Sequence, residues 1–170
     1  MMLLSILILL ISFFIQNVFS NYIGYIYNNL SIFSTVYILI AILILNPFFE
    51  NKKKYFILLI ITGLIIDVAY TNTFPMNIIL FFICYFISKS FHAFFPYNWI
   101  TISVSNLLCI SIYHIISFLI LSIQQYYNYN LSILTKILSH SILMTIIYSS
   151  IIYIIIIWLY KKFQLKEVKK

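Results

Sequence analysis

Trp99–Gln124 and Ile137–Tyr160 are runs of 26 and 24 residues without a single Lys, Arg, Asp or Glu. Runs of that length constrain the fold more than any other feature of the chain. A hydrocarbon core about 30 Å thick takes about 20 apolar residues of helix rising about 1.5 Å each. By the same measure the sequence divides into six apolar stretches with polar punctuation between them: Met2–Ser20, Leu30–Asn46, Tyr55–Thr71, Phe74–Ser90, Trp99–Gln124 and Ile137–Tyr160. The expectation is an all-α integral membrane protein with six transmembrane helices. Residues 1–160 would form the membrane domain and 161–170 a short basic cytoplasmic tail.

Composition agrees with a membrane protein. The chain is 64% hydrophobic and 8% charged, with a mean hydropathy of +1.10, so it has too little polar surface for a soluble domain of 170 residues. Met1–Ser20 resembles a signal peptide in being apolar, but it lacks a basic start and a small-x-small cleavage site, so it reads as a retained first span.

The net charge of +7 comes from lysines alone. Lys52, Lys53 and Lys54 form one cluster; Lys161, Lys162, Lys166, Lys169 and Lys170 form another. At the ends of apolar stretches such clusters read as topology signals and contacts to anionic membrane lipids. With Lys89 between the fourth and fifth stretches, they place alternate loops and both termini on the cytoplasmic side. Nucleic acid is not an expected partner, because no arginine supplies the planar fork that grips phosphate in two places.

Polar residues inside apolar runs are costly and therefore informative. Asp67 is the one acid inside such a run, and a charge at the centre of a membrane helix costs roughly 2.5–3.5 kcal/mol on insertion scales. Gly63 lies one turn before it on the same helical face, where a missing side chain lets a neighbouring helix approach. Asp67 could accept hydrogen bonds from the turn Thr71-Asn72-Thr73, or it could serve as a ligand, proton or partner site. Only Asn72 and Thr73 separate the third and fourth stretches, which predicts a tight hairpin with Pro75 in the first turn of the returning helix.

The fifth stretch carries a longer signature. Ser103, Asn106, His114, Ser117 and Gln124 fall within an arc of about 80° at 100° per residue. Such stripes usually bind helices together in membranes, each hydrogen bond contributing about 0.6–2 kcal/mol. His114 is also placed to pair with Asp67. Lys136 and His140 open the sixth stretch, where they would snorkel to the surface. Cys84 and Cys109 lie in different stretches without metal-ligand spacing and read as small core residues.

Counting acids weighs against several membrane enzymes. An intramembrane aspartyl protease needs two aspartates of opposite protonation state, and this chain has one. Glu50 and Glu167 are too far along the chain to hold a divalent metal beside Asp67. There is no G-x-S-x-G, and two glycines in total leave no phosphate-cradling loop. Neither enzymatic activity nor a cofactor is expected.

The segment from Gly63 to Phe91 resembles the rod shape-determining protein MreD family in its G-x-x-x-D step, polar turn, tyrosine late in the next apolar stretch, and basic residue beyond it. Gly63, Asp67, Thr71, Tyr85 and Lys89 carry that pattern. The resemblance implies a non-catalytic subunit of the bacterial elongation machinery in the cytoplasmic membrane. Its partners would be an MreC-like bitopic protein and, indirectly, the MreB filament, the glycosyltransferase RodA and a class B penicillin-binding protein. Gly63 and Asp67 would then shape the packing of the third and fourth helices. The alternative is a substrate-binding component of an energy-coupling factor vitamin transporter, with Asp67, Asn106 and His114 lining a pocket.

Overall fold

A computed structural model describes residues 2–26, 36–71, 75–123 and 131–162. All regular structure among them is helical: α1 (Met2–Ile26), α2 (Tyr37–Leu45), α3 (Lys52–Ile66), α4 (Met76–Phe94), α5 (Trp99–Ile123) and α6 (Leu131–Lys162). A 3-10 turn, Asn46–Phe48, ends α2, and a π turn, Asp67–Thr71, extends α3.

Local chemistry accounts for several boundaries. Pro47 follows the first residue of the 3-10 turn, where its missing N–H costs little. Asn51 caps α3, its side-chain oxygen accepting the Lys53 N–H at 3.0 Å. At the start of α5 the Thr101 hydroxyl reaches back to accept the Asn98 N–H at 3.0 Å, as in a capping box. Pro75 is the N-cap of α4 and not a residue of its first turn.

α2 sits at the centre. Every residue from Tyr37 to Leu45 is buried, as expected for a helix apolar on all sides. Its first N–H groups meet α1, where Gln16 Oε1 accepts the Ile38 N–H at 3.4 Å. Its far end meets the start of α3, where Lys52 Nζ donates to the Asn46 carbonyl at 3.0 Å and to Asn46 Oδ1 at 3.2 Å. α3 therefore runs back along α2, with the Tyr55 hydroxyl donating to the Ile42 carbonyl at 3.3 Å one turn further on. Aromatic rings close the Asn46 end: Phe48 against Tyr160 at 4.4 Å, Phe49 against Tyr55 at 5.6 Å, and Tyr55 against Tyr85 at 5.5 Å between centroids.

Antiparallel neighbours complete the bundle through matched polar steps. Ser105 donates to Ser88 at 3.2 Å between α5 and α4. Ser149 donates to Ser103 at 3.0 Å between α6 and α5, and Tyr148 donates to Ser12 at 2.7 Å between α6 and α1. Small hydroxyl residues let helices approach closely while keeping their own hydrogen bonds, the usual device where apolar burial gives no drive to associate. The outer faces are apolar, with Leu7, Phe14, Leu143 and Ile154 exposed.

The six-transmembrane expectation is corrected by helix length. Three helices among the described residues are long and apolar enough to cross a membrane: Met76–Phe94, Trp99–Ile120 and Leu134–Tyr160. Met2–Val18, part of the 25-residue α1, and Tyr37–Phe48 are shorter apolar stretches. α2 with its 3-10 turn spans roughly 18 Å, and α3 roughly 22 Å with three lysines in its first turn, against about 30 Å of hydrocarbon. The assignment of both termini to the cytoplasmic side belongs to the six-crossing arrangement and falls with it. Of the expected tail, Lys161 and Lys162 end α6, and residues 163–170 lie outside the described residues.

Candidate functional site

α3 and α4 come together at Gly63. A Cβ built on Gly63 would lie 2.9 Å from Ile78 Cα, 3.1 Å from Ile78 N and 3.1 Å from Ile78 Cγ1. Two of those three atoms are backbone, so the contact is helix against helix and only glycine admits it.

One turn later the chain changes pitch. The Asp67 N–H still bonds the Gly63 and Leu64 carbonyls, and the π turn begins at Asp67 itself. Wider turns of this kind occur mostly as single interruptions of α-helices, frequently at functional sites. The Asp67 side chain is fully buried. Its Oδ1 accepts the backbone N–H of Asn77 at 3.0 Å and the Asn77 side-chain N–H at 2.8 Å. Asn77 Oδ1 in turn accepts the hydroxyl of Tyr113. Three helices are thereby tied in series, α5 to α4 to α3.

This arrangement follows from how α4 starts. The first N–H groups of any helix have no partner inside it, and a cap side chain normally takes one of them. Pro75 holds the N-cap position of α4 and has no side-chain oxygen. Asp67 supplies the missing acceptor from the preceding helix, at the helix end whose dipole favours a negative group. Asp67 Oδ1, an acceptor here for the backbone N–H of Asn77, also faces the Asn77 amide nitrogen, which leaves Asn77 Oδ1 to accept the Tyr113 hydroxyl.

The remaining singled-out residues are placed as follows. Thr71 ends the π turn, and Asn72 lies outside the described residues. Asn106 and His114 are on α5, each 1% exposed. Asn106 Nδ2 and both His114 ring nitrogens have no hydrogen-bond partner among the described residues, so His114 does not pair with Asp67. Thr145 Oγ1 on α6 is in the same state. Asn106 and Thr145 each lie one turn along from the Ser103–Ser149 contact, which puts them at the same level of the α5–α6 seam. Cys84 and Cys109 are buried and free, and each thiol donates to the other's carbonyl, at 3.5 and 3.4 Å, across α4 and α5. No group of three His, Cys, Asp or Glu side chains able to hold a metal occurs among the described residues.

Sequence reasoning missed Asn77, which bonds Asp67, and Tyr113, which bonds Asn77. Asn77 carried a signal, being a buried-type polar residue just after a proline that cannot cap. Tyr113 carried none, since the chain has 15 tyrosines. The described residues form a small all-α protein with several apolar helices, three of them long and apolar enough to cross a membrane, in which a buried polar latch ties α3, α4 and α5. No protein-family model, no curated protein and no solved structure matches it.

Proposed function

We propose that this chain is a non-catalytic scaffold subunit of the bacterial cell-elongation machinery in the cytoplasmic membrane, presenting a helix surface to an MreC-like bitopic protein. The observation that carries the reading is the Asp67–Asn77–Tyr113 latch directly above the Gly63–Ile78 contact. In this reading the carboxyl holds α3 against α4 and so positions the two helices. Tyr85 and Lys89, which complete the MreD-like pattern, lie further along α4: Tyr85 is buried against Tyr55 and Phe56, and Lys89 is exposed. In this reading the latch sets the angle between two helices so that their outer surface matches a partner's single membrane helix.

The test is a mild-detergent pull-down of the tagged chain from its native cells, wild type against Asp67→Leu. Recovery of an MreC-like protein with RodA or a penicillin-binding protein, reduced in the variant, supports the scaffold. Equal recovery from wild type and variant removes Asp67 from that role, and absence of these partners from both removes the scaffold.

A second reading has its own support. Asn106, His114 and Thr145 leave buried polar atoms without hydrogen-bond partners among the described residues along α5 and α6, and such atoms in a protein interior ordinarily meet water or a ligand. A small polar substrate taken up by a transporter component would answer that need. Recovery of paired ATPases with a membrane coupling protein would favour it.

A further inference from the structure

Between α1 and α3 lies an apolar groove of about 500 Å³, partly open to its surroundings. Ile6, Leu10 and Phe13 line one wall, Ile57 and Ile61 the other, and Lys54 is the one charged residue in it. Thr62 adds no polarity, because its hydroxyl donates back to the Leu58 and Leu59 carbonyls at 2.9 and 3.0 Å. Along α3 the lining runs from Lys54 at one end to Ile65 at the other. From Lys54 to Ile65 is eleven residues, roughly 16 Å of helix, which is about half the hydrocarbon thickness of a bilayer. A groove of that length suits the acyl chain of a lipid from one leaflet.

The charged end selects the headgroup. Glu50–Lys54 holds three lysines against one acid, and Lys52 is directed to Asn46 while Lys53 and Lys54 are exposed. We infer that the α1–α3 groove is a binding site for one anionic phospholipid, its acyl chain lying along Leu10, Ile57 and Ile61 and its phosphate at Lys53 and Lys54. Apolar area alone would accept any lipid, whereas lysines at the mouth add attraction for a net negative headgroup of about fivefold per charge near the surface. The site does not depend on the elongation reading, since neither the latch nor a protein partner takes part in it.

The test places the purified full chain in phosphatidylcholine vesicles containing a small fraction of phosphatidylglycerol with a diazirine in its acyl chain. A parallel set carries the same diazirine on phosphatidylcholine. After illumination, cross-linked peptides are located by mass spectrometry. The expected result is labelling of Leu10, Ile57 and Ile61 by phosphatidylglycerol at least fivefold above phosphatidylcholine, with no headgroup preference at Leu143 and Ile154 on α6. Lys53→Gln with Lys54→Gln should remove the preference, and Ile61→Trp, which fills the groove, should lower labelling by both lipids. Equal labelling of the wild-type groove by the two headgroups overturns the proposal without any variant. So does formation of disulfide dimers by Ile57→Cys in the vesicles, which would assign the groove to a second copy of the chain.

Discussion

Replacing Gly63 by alanine tests the helix contact beneath the latch. The new Cβ would stand 2.9 Å from Ile78 Cα, whereas carbon atoms in contact settle at about 3.5–4.0 Å, so α4 must retreat by about 0.6–1.1 Å at that point. Asn77 is the adjacent residue and must move with it. Its bonds to Asp67, now 3.0 and 2.8 Å, would lengthen to about 3.4 Å or more, where a hydrogen bond is largely spent. Overpacking of this kind costs about 1–3 kcal/mol, and a lost hydrogen bond in a membrane helix pair about 0.6–2 kcal/mol. Against this, alanine gains about 1 kcal/mol over glycine in helix propensity. The net expectation is a loss of about 1–4 kcal/mol, read as an earlier midpoint when helicity is followed by circular dichroism during SDS titration of mixed micelles. Adding Ile78→Ala should restore only part of that loss, because it removes Cγ1 at 3.1 Å but leaves the backbone atoms in place. A Gly63→Ala protein as stable as the wild type would refute the close-contact account, and full restoration by Ile78→Ala would shift the clash from backbone to side chain.

Three further outcomes follow from the same geometry. Tyr113→Phe deletes the hydroxyl that Asn77 Oδ1 accepts and should lower stability by about 0.5–1.5 kcal/mol in the same titration; no change would mean the latch ends at Asn77. Asp67→Asn keeps an oxygen that can take the Asn77 N–H, so it should retain more stability than Asp67→Leu, and the reverse order would show that the site resists a polar side chain of this size. Cys84 and Cys109 should resist maleimide in micelles and react in full once SDS unfolds the chain, since both are buried; prompt labelling of the native protein would mean that α4 and α5 open readily.

The latch divides cleanly into what could and could not be read beforehand. Asp67 stood out because a lone acid in an apolar run is expensive, and Gly63 because it lies one turn away on the same face. Asn77 is ten residues from Asp67 across a reversal of chain direction, and no periodicity reports which residue lands opposite which. His114 was as good a candidate partner by type, but Asn77 of α4 takes the carboxyl, and it is the neighbouring Tyr113 that reaches this site from α5, through Asn77. Ser103 on the same stripe does pair across helices, while Asn106 and His114 remain buried without partners among the described residues.

In an apolar setting the backbone is satisfied in helices or closed barrels, and unbroken apolar runs such as Ile137–Tyr160 lack the alternation of a barrel strand, so an all-α chain of apolar helices is legible from the residues alone. Which of those helices face outward is set by packing. Tyr37–Leu45 is as apolar as any span, yet it is nine residues long and buried on every side by its neighbours. Leu134–Tyr160 has the same character but exposes much of its surface. Hydropathy cannot tell these apart, because a lipid tail and a leucine side chain are equally apolar surroundings. Length, and the company each helix keeps, is what separates a crossing from a core.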